Sequence, residues 1–337
     1  MIKRLFTVLL PCALAACVAS GGDPGRTLAP AIDADFPDPA VLRANDGWYY
    51  AYATQGQRDG RMHNIQVARS RDLARWDQIG DGLPVKPVWA SQTQDFWAPH
   101  VIADGGRYLL YYSAKPDAAL TDPKRGLCLA VAAAVRPEGP FTDMGRPLIC
   151  GDGFVDIDPM AYQDPASGKR LLYWGSGFLP IKVQELAPGG MSFAKDSAPI
   201  DLIEVVQAAD PTNYRRLIEG AWVVRRNGWY YLFFSGDNCC GAKAHYAVMV
   251  ARSRSATGPF EVKPENGGVI LEADGDWIAP GHNSVIVDAD GAWRILYHAV
   301  DARRPRTKST DDINSRRVML VGKLDWRNGW PVFGSRK

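Results

Sequence analysis

The chain has 337 residues, of which 39 are Lys or Arg and 37 are Asp or Glu, a formal net charge of +2. So small a basic excess excludes nucleic acid as a partner, because phosphate binding needs a clustered positive surface. The length allows one large domain or two small ones, and composition does not shift along the chain to separate them.

Lys3 and Arg4 followed by the apolar run Leu5 to Ala16 have the charge and length of a secretory signal peptide, residues 1–16, and fall short of a membrane span. The run closes in Leu14-Ala15-Ala16-Cys17, which resembles a bacterial lipobox, with ordinary cleavage nearby as the alternative. By that likeness Cys17 becomes a lipidated first residue and residues 17–29 a flexible tether. The expected location is then the outer membrane, because Val18 supplies no aspartate retention signal; without lipid the protein is periplasmic or extracellular. Removing residues 1–16 takes away Lys3 and Arg4, so 39 − 2 = 37 basic residues face 37 acidic ones. Arg303, Arg304, Arg306 and Lys308 form a local basic cluster that reads as a solvated loop.

Four cysteines follow Cys17, and export places Cys128, Cys150, Cys239 and Cys240 where disulfides form. No Cys-x-x-Cys pair has a matching partner, which argues against a structural zinc site. Cys128 with Cys150 is the natural long-range pair. Cys239 and Cys240 are then bridged to each other or free, with the vicinal bridge preferred.

Residues 30–337 carry a repeat. Gly47, Gly106, Gly168, Gly228 and Gly291 each precede a strand-forming run of aromatic and aliphatic residues, such as Trp48-Tyr49-Tyr50-Ala51-Tyr52. The intervals between those glycines are 59, 62, 60 and 63 residues, and a fixed period of this size marks an array or a propeller. A second strand signal follows each run, as in Val248 to Ser253, often closing in a turn such as Gly139-Pro140-Phe141 or Gly258-Pro259-Phe260. Extended helical periodicity is missing. The expectation is an all-β fold, a single five-bladed β-propeller; an up-and-down barrel would not explain a sixty-residue period.

About eight to ten residues before the repeated glycines stand Asp38, Trp97, Asp158, Glu219 and His282. In a propeller the innermost strand of every blade lines the axis, so equivalent positions converge on one cavity. Taken singly, Asp38 and Asp158 read as Asp-Pro turn residues and Glu219 as a surface acid. Standing at one point of the repeat, they read instead as a catalytic set, because glycosidic cleavage needs one protonated and one ionised carboxyl.

These residues resemble glycoside hydrolase family 43, the arabinanases, α-L-arabinofuranosidases and β-xylosidases on five-bladed propellers. The likeness rests on Asp38-Pro39, Trp97-Ala98-Pro99, Ile157-Asp158-Pro159, Glu219-Gly220 and Gly281-His282-Asn283-Ser284, in that order. It implies Asp38 as general base, Glu219 as general acid, Asp158 as the residue that orients the acid and adjusts its pKa, and Arg317 as an arginine reaching the bound sugar. The retaining invertase and levansucrase group uses Asn-Asp-Pro, Arg-Asp-Pro and Glu-Cys, which this chain lacks. His282 has two readings, a ligand near the axis to a calcium or sodium ion, by resemblance, and a hydrogen-bonding histidine lining the channel. No other cofactor is implied. Trp97 reads as a sugar-stacking platform, and Trp48 and Trp229, within the strand repeat, as core.

The function implied is inverting hydrolysis of arabinose- or xylose-containing plant oligosaccharides or polysaccharides by a monomer. Arabinan endo-1,5-α-L-arabinosidase or α-L-arabinofuranosidase leads, because no β-sandwich follows the repeats; β-xylosidase or a non-catalytic glycan-binding propeller is the alternative. Glu219 needs burial and a negative neighbour to stay protonated, and Asp158 is expected to supply that charge. Asp38 and Glu219, on the first and fourth blades, are expected to face each other across the channel, leaving room for a water.

Overall fold

The computed structural model describes residues 28–207, 210–304 and 316–334. The signal peptide, the lipobox with Cys17, and Arg306 and Lys308 of the basic cluster lie outside the described residues. Five antiparallel sheets follow one another from Ala40 to Phe333. Blade 1 orders Ala40–Arg43, Tyr49–Ala53, Gln66–Ser70 and Asp77–Asp81 from axis to rim. The innermost strands of the other blades are Phe96–Asp104, Met160–Gln163, Ile218–Arg226 and Trp277–Val287. Each touches the next, and the fifth touches the first, so the all-β five-bladed propeller expected from the repeat is the fold.

The repeat glycines occupy the hairpin between first and second strands, where all five have left-handed φ, from 73° to 93°. A Cβ would be strained there, which explains glycine at each period. The runs after them are continuously apolar because a blade is covered on both faces. In strand Arg107–Ala114 the side chains of Leu110, Tyr112 and Ala114 pack toward blade 1, while Leu109 and Tyr111 join the core shared with blade 3.

Tyrosine hydroxyls bind consecutive blades together. Tyr52 donates to Pro137 O, Tyr111 to Gly190 O and Tyr173 to Ala256 O, each at 2.7 Å and each reaching the following blade. The ring is closed by the lead segment before blade 1. The Ala31 N–H donates to Met319 O and the Phe36 N–H to Arg317 O, both 2.8 Å, along the third strand of blade 5. Cys128 and Cys150 are disulfide-bonded and oppose each other on paired strands of blade 2, and Cys239 and Cys240 are bonded to each other.

Trp48 and Trp229 depart from expectation. Both are half-buried at the ends of their strands, not interior, because each ring is a platform for two arginines of the neighbouring strand. Arg69 and Arg71 lie 4.7 and 3.9 Å from the Trp48 ring centroid, and Arg252 and Arg254 lie 4.4 and 3.7 Å from that of Trp229. Arg304 of the basic cluster pairs with Asp33 at 2.9 Å, and Arg303 with Asp276 at 3.4 Å.

Candidate active site

At or near the start of every innermost strand one residue in the left-handed region stands at the same point of the repeat: Asp38 (φ 57°), Ala98 (46°), Asp158 (61°), Gly220 (63°) and His282 (44°), with Ala279 (49°) as a second in blade 5. Intervals between the five repeat positions are 60, 60, 62 and 62 residues. The strand registers slip at the same place, between Trp97 and His100, between Glu219 and Trp222, and between Gly281 and Ser284. Such bulges re-aim side chains. Here they turn the left-handed residue, or the one before it, into the mouth of the channel.

A non-glycine residue in this region costs about 1–3 kcal/mol and persists where its surroundings hold it. The second strand of the preceding blade supplies the hold. Thr54 Oγ1 accepts the Ala98 N–H at 2.8 Å, Ser113 Oγ that of Asp158 at 3.0 Å, Ser235 Oγ that of His282 at 2.8 Å and His298 Nδ1 that of Asp38 at 3.1 Å.

The cavity above this ring has a volume of about 1570 Å³, and Asp38, Trp97, Asp158, Glu219, His282 and Arg317 all line it. All six expected site residues therefore meet at one place. Trp97 is half-exposed there, and across blade 3 the exposed rings of Phe154 and Phe178 meet edge to face, 6.2 Å apart, on the same wall.

Asp38 is buried among cations and donors. Thr54 Oγ1 donates to its Oδ2 at 2.5 Å and Arg317 to its Oδ1 at 3.2 Å. Burial pushes its pKa up, but the Arg317 guanidinium, followed by His282 and His298, outweighs that and holds the carboxyl well below its usual range. Burial pushes His298 down to about 4 and lowers His282. Both rings are thus pushed toward the neutral form, which leaves Arg317 as the permanent cation beside Asp38.

Glu219 meets neutral donors instead. Ser176 Oγ lies 2.5 Å from its Oε2, and Tyr246 donates to Oε1 at 2.8 Å. Tyr246 reaches it across Gly281, where a Cβ would collide with the tyrosine ring. Burial raises Glu219, its hydrogen bonds from Ser176 and Tyr246 oppose this, and Asp38 raises it further. Asp158 is raised well above its usual range by burial, then by Glu219 and Asp38. This changes the expected division of labour. Burial pushes Glu219 toward its protonated form, and Asp158 is itself drawn toward the neutral form instead of standing beside it as a fixed charge.

His282 Nδ1 stands between the two aspartates, 3.5 Å from Asp38 Oδ1 and 3.6 Å from Asp158 Oδ2. Among the described residues no three His, Cys, Asp or Glu side chains form a metal-holding group. These side chains alone do not supply the several oxygen ligands that a calcium or sodium ion takes.

Several participants escaped sequence reasoning. Thr54, Ser176 and His298 follow the repeat glycines by 7, 8 and 7 residues, an offset that could have revealed them. Asp35 also lines the cavity, accepting the Arg317 N–H at 2.8 Å, and burial raises its pKa. Asp35 belongs to the lead segment and has no place in the repeat.

Comparison with known proteins agrees with this geometry. The family description "Glycosyl hydrolases family 43" matches residues 27–331. A probable arabinan endo-1,5-α-L-arabinosidase A of Aspergillus fumigatus is 28% identical over 351 residues, covering 98% of this chain and 100% of the relative. An extracellular endo-α-(1→5)-L-arabinanase 1 of Bacillus subtilis is 28% identical over 311 residues, covering 88% and 87%. Among solved structures, an exo-1,5-α-L-arabinanase from a bovine ruminal metagenomic library superposes with a TM-score of 0.70 at 25% identity, covering 90% of this chain and 99% of that one.

Proposed function

This chain belongs to glycosyl hydrolase family 43, and on that footing we propose that it cleaves α-1,5-linked L-arabinan within the chain and with inversion at the anomeric carbon. It is a glycoside hydrolase. The observation that carries the mechanism is the opposite displacement of two carboxyls on one cavity, Asp38 drawn toward its ionised form beside Arg317 and Glu219 pushed toward its protonated form by burial.

Asp38 takes a proton from a water whose oxygen attacks the anomeric carbon, and Glu219 gives its proton to the glycosidic oxygen as that bond breaks. The cycle leaves Asp38 protonated and Glu219 ionised, and solvent exchange resets both. Each transfer contributes about 10²–10⁴ in rate. Asp158 adjusts the acid through their shared burial, and it anchors the acid's strand by accepting the Gly220 N–H at 3.1 Å. Trp97 and the Phe154–Phe178 pair offer apolar faces to sugar rings. A cavity of about 1570 Å³ exceeds the roughly 300–1,000 Å³ of small-molecule pockets, which suits several linked sugars and internal cleavage.

Linear arabinan and proton NMR test this reading. New reducing ends should appear first in the β configuration, on oligosaccharides of mixed length. Retained configuration would refute the inverting roles, and release of arabinose alone would refute internal attack.

We also infer export, as the extracellular Bacillus relative suggests, and a lipid anchor at Cys17. Cys17→Ser should move the protein from the membrane fraction to the soluble one. Unchanged fractionation would remove the anchor.

A further inference from the structure

The five blades repeat one device and break it once. In each blade the second strand, or the one or two residues after it, delivers a polar side chain to the channel mouth, at Thr54, Ser113, Ser176, Ser235 and His298. Four of the five accept the backbone N–H of the left-handed residue opening the next blade, at 2.8 to 3.1 Å. By this pattern Ser176 of blade 3 should accept the Gly220 N–H of blade 4. That N–H goes instead to Asp158 Oδ2, and Ser176 Oγ lies 2.5 Å from Glu219 Oε2.

The exchange has a physical logic. A carboxyl oxygen reaching over from the innermost strand of blade 3 satisfies Gly220, so the serine hydroxyl is released from the backbone. Ser176 is fully buried, and a hydroxyl in such a place needs a partner. The oxygen it meets belongs to the one side chain in the ring that must gain and lose a proton in every turnover. A hydroxyl is suited to that, since it can accept from a protonated carboxyl and, by rotating, donate to the carboxylate left behind. Tyr246 fixes the other oxygen, so the carboxyl plane is set at both ends.

We propose that Ser176 is a positioning residue for the general acid: freed by Asp158 from the capping role its counterparts perform, it fixes the Glu219 carboxyl in both protonation states. This rests on reading Glu219 as the acid.

The test compares kcat on an arabino-oligosaccharide, whose leaving group needs protonation, with kcat on a 2,4-dinitrophenyl arabinoside, whose leaving group does not. Glu219→Gln is the reference and must lose far more on the first substrate than on the second. If it loses equally on both, the acid assignment fails and this proposal fails with it. Given that reference, Ser176→Ala should lose at least about tenfold more on the oligosaccharide than on the aryl glycoside, with KM little changed. The basic limb of its pH profile should move up, because a hydrogen bond that lowers the Glu219 pKa is gone. Ser176→Thr should restore both properties. Ser176→Cys, with similar volume and a weaker donor, must show the same discrimination in reduced form, which keeps the test open if the alanine variant does not fold. Ser235→Ala removes the matching cap in blade 4 and should change both substrates by one factor. Equal losses at Ser176 with an unmoved basic limb, or the same discrimination at Ser235, would overturn the proposal.

Discussion

Asp38 and Glu219 line one cavity from the first and fourth blades with almost the same exposure, 7% and 9%, yet their pKa values move in opposite directions. Burial pushes both upward. The difference lies in what each carboxyl touches: a guanidinium and the Thr54 hydroxyl at Asp38, two neutral hydroxyls and a neighbouring acid at Glu219. Neutral donors place a carboxyl without compelling it to ionise, whereas a cation at 3.2 Å does compel it. Two carboxyls one residue apart in the repeat register are thus moved in opposite directions by what stands beside each.

The largest expected effect comes from removing that neighbour. Arg317→Met removes the largest influence opposing burial at Asp38, so the base stays protonated to higher pH. The acidic limb of the kcat profile should move upward, and kcat near pH 5 should fall by about 10²-fold, the loss expected when one of two proton-transfer groups is disabled. An unmoved acidic limb would mean that something other than Arg317 ionises Asp38.

A smaller effect is expected on the acid side. Asp158 has a folded-state pKa above its unfolded value, so it contributes stability below the unfolded pKa and loses it as pH rises through the folded one. Asp158→Asn carries no such pH-dependent loss. The Tm of the variant should therefore gain on that of the native protein as pH increases from 4 to 8, while kcat falls because the Gly220 N–H loses its carboxylate partner. A Tm difference constant across that range would show that Asp158 is not held toward its neutral form.

The blade count, the hairpin glycines and the positions of Asp38, Trp97, Asp158, Glu219, His282 and Arg317 were legible in the sequence. All but Arg317, which rests on the family resemblance, share one period, and a closed ring turns sequence period into spatial convergence. The supporting side chains were harder to see. Thr54, Ser113 and Ser235 keep the period but are ordinary strand-end hydroxyls until a left-handed N–H is set beside them. Tyr246 sits on a third strand and reaches Glu219 only because Gly281 leaves space, a relation between two blades that no single segment contains. Trp48 and Trp229 belong to the aromatic repeat, but the arginines that cover them sit on the next strand, so their half-buried surroundings were not visible in their own run.

The way the ring closes bears on when the enzyme becomes active. Asp38 lies near the start of the described chain, but its backbone N–H is held by His298 and its carboxyl by Arg317, both in blade 5, while the lead segment pairs with the strand that begins at Arg317. The base is thus among the first catalytic residues to leave the ribosome and the last to be set in place. A growing or partly exported chain holding four finished blades has its acid assembled and its base unanchored, so hydrolytic competence arrives only with the final sheet and marks a chain that has been completed.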